Sequence, residues 1–274
     1  MRIIPTLQRI KDDNRGKADN YVRNLLKEYL QVMVLRFVYT PERYRDLVFY
    51  GGTCLAIVHN LPRLSEDLDF VDIGKKVDVG ELARDLEEFF SGSDLDVSVK
   101  VQKFRIYLKF GILKELGLAQ DRSESDNLFV KVEIFPGFEF CNTYRTEFHP
   151  VFKFNTSVLV KTFDLPTLMA TKIRAVLYRK WEKTDKQGQT LIQVKGRDYF
   201  DLMWFLKQGI EPNLNCIERV KSKRELKDKL LPIIEKLDER SVALDLESFI
   251  ADKKFAGSTG RNIRQILRRG INEW

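Results

Sequence analysis

The chain has 274 residues, 43% of them hydrophobic and 32% charged, and 47 basic against 40 acidic side chains leave a formal charge of +7. Those proportions belong to an ordinary folded protein and exclude a disordered or low-complexity chain. No apolar run reaches the about 18 residues that a membrane-spanning helix needs, and the start MRIIPTLQRIKDDNRG holds no signal-peptide core.

In chain order, residues 18–37 lack Gly and Pro and return Leu25, Leu26, Leu30 and Met33 at helical spacing. Thr40 and Pro41 mark a new start, with Thr40 as cap and Pro41 in the first turn of a short helix. Leu47–Tyr50 is a β-prone run ending at Gly51-Gly52. A helix is expected from about Thr53 and closes at Asn60-Leu61-Pro62. Residues 67–73 read as a strand, 80–90 as a helix, and 96–104, 105–110, 128–135 and 152–160 as further strands, with a polar excursion over 111–127.

Beyond residue 161 the pattern turns helical, over 164–179, 196–206 and 223–240, with Asp164 as a cap and a loop at 184–190. Pro232 is expected to kink or divide the last stretch. The fold class expected is α+β: a mixed-sheet domain with flanking helices over 1–160, and a helical domain over 161–274 that completes an active-site cleft. Cys54, Cys141 and Cys216 show no metal-ligand spacing, and an odd count argues against a disulfide-built fold. A cytoplasmic, thiol-reduced setting is expected.

The chemistry concentrates in GGTCLAIVHNLPRLSEDLDF, residues 51–70. On a strand, Asp67 and Asp69 face one way, roughly 6–7 Å apart, so two carboxylates converge while Leu68 and Phe70 point into the core. Hard cations such as Mg²⁺ take oxygen ligands and complete their shells with water and phosphate. Adjacent glycines let backbone approach a bulky anion, and a helix starting there aims unsatisfied N–H groups at it. Gly51, Gly52 and Thr53 thus make a triphosphate seat, with Arg63 and Ser65 in reach of a nucleotide. Either element alone is ordinary, since paired glycines mark turns and DxD is commonly a solvated face. Their order gives them meaning.

This stretch resembles the signature of the AbiEii/AbiGii-type toxin nucleotidyltransferases, of the DNA polymerase beta-like superfamily. The pattern GGTxL followed by RxSxDLDF is met by Gly51, Gly52, Thr53, Leu55, Arg63, Ser65, Asp67, Leu68, Asp69 and Phe70. Later phrases agree: Leu168, Ala170 and Lys172, then Lys195, Gly196, Arg197, Asp198, Asp201 and Leu202. The resemblance implies Gly51, Gly52 and Thr53 at the phosphates, Asp67 and Asp69 as ligands of Mg²⁺ (or Mn²⁺), Lys172 on the nucleotide phosphates and Asp198 in the charge network. Arg197 can bind phosphate or Asp198. A superfamily third carboxylate corresponds to Glu133, either to activate the acceptor hydroxyl or to help hold metal; otherwise it is a solvated strand residue.

What the resemblance implies is transfer of a nucleoside monophosphate from a nucleoside triphosphate (NTP) to RNA, at the 3′ end of tRNA. It implies a toxin with a cognate antitoxin in growth control or phage defence; from the lack of a long apolar run, no membrane partner is expected. Two alternatives stay open: transfer to a small molecule or protein hydroxyl, and a catalytically inactive binding module. His59 and His149 have no partners at zinc-ligand spacing. Basic residues gather late, at Lys221–Lys229 and Lys253–Arg269. There Arg261, Arg264 and Arg268 share a helical face that suits an RNA backbone or plain solvent.

Overall fold

The computed structural model describes residues 1–119, 125–141, 143–184, 190–192 and 194–274. The chain divides into two compact units: one of residues 1–60, 64–138 and 146–162, the other of 61–63, 139–145 and 163–274. Among the described residues no helix is long and apolar enough to cross a membrane.

The first unit is α+β. Its helices are α1 (Ile4–Asp13), α2 (Asp19–Val38), α3 (Gly51–Val58) and α4 (Val79–Ser91). Its strands are β1 (Val48–Tyr50), β2 (Asp67–Asp72), β3 (Asp96–Gln102), β4 (Arg105–Gly111), β5 (Asn127–Pro136), β6 (Thr146–Lys153) and β7 (Thr156–Phe163). They form one mixed sheet in the order β3-β4-β5-β2-β1-β7-β6. β2 lies antiparallel to β1 and parallel to β5. Alternation makes the core. On β4, Ile106, Leu108 and Phe110 are buried between less covered Arg105, Tyr107 and Lys109, and Phe110 meets Phe90 of α4 edge-on at 4.9 Å. The Asp78 carboxylate caps α4 by accepting from the Glu81 amide at 2.7 Å.

The second unit is mainly helical: α5 (Leu165–Tyr178), α6 (Gly196–Lys207), α7 (Lys223–Glu235), α8 (Glu239–Leu246) and α9 (Lys253–Asn272). Short strands β8 (Lys183–Thr184) and β9 (Thr190–Ile192) pair antiparallel. Asp164 caps α5, accepting from the Thr167 amide at 3.1 Å, and Pro166 sits in the first turn, where its missing N–H costs nothing.

Several expectations need correction. The sequence reading places no element at 4–13, where α1 forms. Thr40 does not cap; its hydroxyl donates to the Arg36 carbonyl at 2.6 Å, closing α2 instead. α3 starts at Gly51, two residues early, because Gly51 itself turns the chain at φ +81°. The strand expected over 152–160 is two strands, separated by a turn in which Phe154 and Asn155 both take positive φ. Apolar alternation on both sides hides that turn. Division of 223–240 falls after Glu235 rather than at Pro232, so the proline lies inside α7. Of the loop expected at 184–190, Thr184 and Thr190 belong to β8 and β9; 185–189 lie outside the described residues. Cys141 and Cys216, expected as thiols, are joined by a disulfide.

Close helix packing in the second unit depends on glycine. A Cβ on Gly196 would lie 2.7 Å from Val242 Cα and 2.8 Å from its carbonyl oxygen, and one on Gly260 2.8 Å from Ala243 Cα. Those obstacles are backbone and cannot rotate away. Gly196→Ala would gain about 1 kcal/mol of helix propensity, but overpacking costs about 1–3 kcal/mol. The clash wins: a thermal melt should show Gly196→Ala unfolding several degrees below the wild type, and an equal or higher Tm would refute the packing argument.

Candidate active site

The register of the sheet builds the first cluster. Antiparallel pairing sets Tyr50 opposite Asp69, so the chain leaves β1 at Gly51 directly beside that carboxylate. A Cβ on Gly51 would lie 2.3 Å from Asp69 Oδ2, and φ there is +81°. Only glycine meets both demands. Gly52 follows in the first turn of α3, whose amides receive no side-chain cap from Tyr50. Thr53 is 1% exposed, and its hydroxyl donates to the Asp67 carbonyl, fastening α3 to β2. Gln31 does similar work from α2: its Nε2 donates to the Ser65 carbonyl at 3.1 Å and the Glu66 carbonyl at 2.9 Å.

Parallel pairing then sets Asp67 opposite Lys131 and Asp69 opposite Glu133, while β4 sets Arg105 opposite Glu133. A charged row results, backed by Leu68, Phe70, Val132 and Ile106 in the core. Lys131 Nζ lies 3.0 Å from Asp67 Oδ2 and 2.9 Å from Glu133 Oε1. Arg105 Nε donates to Glu133 Oε1 at 2.8 Å. Burial works against the charge on Lys131, but Asp67 and Glu133 outweigh it and hold its pKa above the ordinary value. Asp67 and Asp69 offer oxygen donors only, which suits a hard divalent cation. Among the described residues no group of three or more His, Cys, Asp or Glu side chains is placed to hold a metal ion. A cation on the two aspartates would take the rest of its shell from substrate and water.

The second unit holds the other cluster. Arg63 is buried, and its Nε and Nη2 each donate to Asp201 at 2.6 Å. Lys172 Nζ lies 2.8 Å from Asp201 Oδ2 and 3.5 Å from Asp198 Oδ1. Arg179 pairs with Asp198 at 2.5 Å. Burial pushes the Asp201 carboxyl up, yet Arg63 and Lys172 together prevail and hold it below the usual range. Arg197 takes Asp245 rather than Asp198 as its carboxylate partner, with the backbone N–H at 3.0 Å and Nε at 3.3 Å.

The structure thus gathers Gly51, Gly52, Thr53, Asp67, Asp69 and Glu133 in the first unit, near the Ser65 backbone. It gathers Arg63, Lys172 and Asp198 in the second. Sequence reasoning missed Lys131 as a partner of Asp67, and Asp201 as the hub of the buried pairs. The signals were present: Lys131 alternates with Glu133 on one strand face, and Asp198 and Asp201 are three apart on a helix, hence neighbours. For Arg105 and Arg179 no local pattern exists. His59 and His149 stack edge-on at 5.1 Å, and burial, then His149, lower the His59 pKa to about 4. The basic face of α9 is partly matched internally, with Arg264 3.7 Å from Glu239 and Arg268 3.6 Å from Glu235.

Against known proteins, the family profile described as "Nucleotidyl transferase AbiEii toxin, Type IV TA system" matches residues 36–269. MenT4, a nucleotidyltransferase toxin from Mycobacterium tuberculosis, is similar in structure over 98% of this chain and 90% of its own, at 13% identity and a TM-score of 0.55. JHP933 from Helicobacter pylori aligns over 91% of this chain and 94% of its own, at 15% identity and a TM-score of 0.46. At such identities the first likeness speaks for the fold, and the second carries no further argument. No curated protein matches.

Asp201 gives the sharpest test of the second cluster. Asp201→Asn keeps the shape but leaves Arg63 and Lys172 buried without their shared counter-charge, which costs about 3–5 kcal/mol. Urea denaturation should show a midpoint well below the wild type's, whereas a loss under about 1 kcal/mol would mean the pair is not the anchor its geometry indicates.

Proposed function

The chain belongs to the AbiEii nucleotidyltransferase toxin family of type IV toxin–antitoxin systems, and from that premise we propose that it transfers a nucleoside monophosphate from an NTP to the 3′ end of tRNA, with Mg²⁺ or Mn²⁺ held by Asp67 and Asp69. Nucleotidyltransferase activity and an antitoxin counterpart come with the family. The acceptor, the metal, a cytoplasmic setting and a role in phage defence or growth control are our reading. One observation carries it: Gly51, at a φ of +81°, passes so close to Asp69 Oδ2 that a Cβ there would force the carboxylate to move. The backbone turn that would cradle phosphates and the carboxylate that would share a cation with them are therefore one construction.

In this reading the acceptor hydroxyl oxygen forms a bond to the α-phosphorus as the bond to the leaving pyrophosphate breaks, and the hydroxyl proton passes to solvent. A divalent cation would supply charge stabilisation to the phosphate oxygens and orient them. The protein's own share is positional. First-turn amides of α3 donate to the triphosphate, with Thr53 keeping that turn fastened to β2. Lys131, steadied by Glu133, keeps Asp67 in place and adds positive charge beside it. Lys172, pinned between Asp198 and Asp201, is assigned to the phosphates of the nucleotide, and Arg197 to support of the same segment through Asp245. Arg63 acts by fixing Asp201. Rigid placement of this kind is where phosphoryl-transfer enzymes find most of their rate.

The direct test supplies the full chain with divalent metal, total cellular RNA and each labelled NTP in turn, beside an Asp69→Ala protein. Label should enter a tRNA-sized band with one or more nucleotides and fall by roughly 100-fold or more in the variant, as for loss of a charge-stabilising group. Label in protein or a small molecule, with none in RNA, would overturn the acceptor assigned here.

A further inference from the structure

A cavity of about 630 Å³ opens in the second unit, lined by the end of α5, the residues after it and the start of α6. That size falls within the roughly 300–1,000 Å³ of small-molecule sites. Its wall carries three cations, Arg179, Lys180 and Lys195, against two carboxylates, Asp198 and Glu182, together with the aromatic rings of Trp181 and Tyr199. Of the carboxylates, Asp198 is already engaged by Arg179 at 2.5 Å and Lys172 at 3.5 Å.

Lys195 is the telling group. It forms no ion pair among the described residues, although Lys172, Arg179 and Arg197 around it all do. Burial, then Arg197, lower its pKa; Asp198 opposes them, and Arg179 and Lys172 add to the lowering. A half-buried ammonium among like charges is costly to maintain unless an anion relieves it. An anion at this wall would meet Lys195 and Arg179 together, and a flat ring beside it would find aromatic surface on which to stack.

We propose that this cavity is a nucleotide pocket, in which Lys195 and Arg179 bind a phosphate while Trp181 and Tyr199 flank the base. The inference rests on the nucleotidyl-transfer reading for its choice of anion. Two sources share this chemistry: the free NTP and the terminal nucleotide of an RNA acceptor.

The test is equilibrium binding to the full chain, with Mg²⁺ present, of two probes: each fluorescent NTP, and a fluorescein-labelled RNA hairpin with a short single-stranded 3′ end. Wild type, Lys195→Gln and Trp181→Ala are compared after thermal melts establish folding. Loss of a charge-assisted contact should weaken one probe by roughly tenfold or more in Lys195→Gln, and loss of the stacking surface should weaken the same probe in Trp181→Ala. Weakened NTP binding makes the pocket the donor's; weakened RNA binding with NTP unchanged makes it the acceptor's. Both probes binding both variants within about twofold of wild type would overturn the pocket. Transfer activity, scored separately, keeps the two readings apart. A wild type that transfers beside variants that bind unchanged removes the pocket alone, and a wild type that binds through Lys195 but transfers nothing removes the function alone.

Discussion

The pairing of Tyr50 with Asp69 across β1 and β2 is the constraint from which the site in the first unit follows. A side chain's position on a strand is fixed to one face by the period of two, so this register puts Asp67 and Asp69 on the same face and sends Leu68 and Phe70 into the core. It also brings the chain out of β1 directly against the second carboxylate. Gly51 is then required twice over, for its positive φ and for its missing Cβ. A one-residue slip would bury both aspartates and expose Phe70. The apolar pattern that folds the sheet is therefore the same pattern that aims the carboxylates.

Electrostatics holds each cluster in its own manner. On the sheet the charges are partly open to solvent, and Lys131 is shared between Asp67 and Glu133. In the second unit Asp201 is fully buried and is met by two hydrogen bonds from Arg63 and an ammonium from Lys172. Burying a carboxylate costs several kcal/mol, and Asp201 stays ionised only because its two cations more than repay that. Such an arrangement is poor economy for stability, since well-packed apolar side chains would serve as well. It fits a demand for a rigidly placed Lys172.

How much of this could be read from the chain alone depends on whether the determinant was local. The GG turn, the DLD strand, the Asp164 cap and the helices α5, α6 and α7 are set by neighbours in sequence and are legible in it, whereas α8 and the full length of α9 are not. The seven-strand mixed sheet was legible as an α+β class but not as an order of strands, because β2 pairs with β5 across more than fifty intervening residues. Pairing Arg63 with Asp201, 138 residues apart, or Arg105 with Glu133 leaves no periodic trace. The turn at Phe154-Asn155 was hidden for another reason: neither residue is glycine, and the left-handed backbone there is imposed by the strands it joins.

Charge shows the same division. A count along the sequence draws attention to α9 and its run of arginines, yet Arg264 and Arg268 there face Glu239 and Glu235, and Arg264 also donates to the Leu237 carbonyl. Exposed and partly matched cations of this kind cost little and imply little. Lys195 is a single residue that no composition window would select, but it is held among Lys172, Arg179 and Arg197, whose charges lower its pKa while Asp198 opposes them. Because desolvation makes a charge without an ion-pair partner expensive, a half-buried lysine with none among the described residues carries more information than a longer run of solvated ones. The overall +7 is therefore less instructive than the place where cationic side chains crowd together away from solvent.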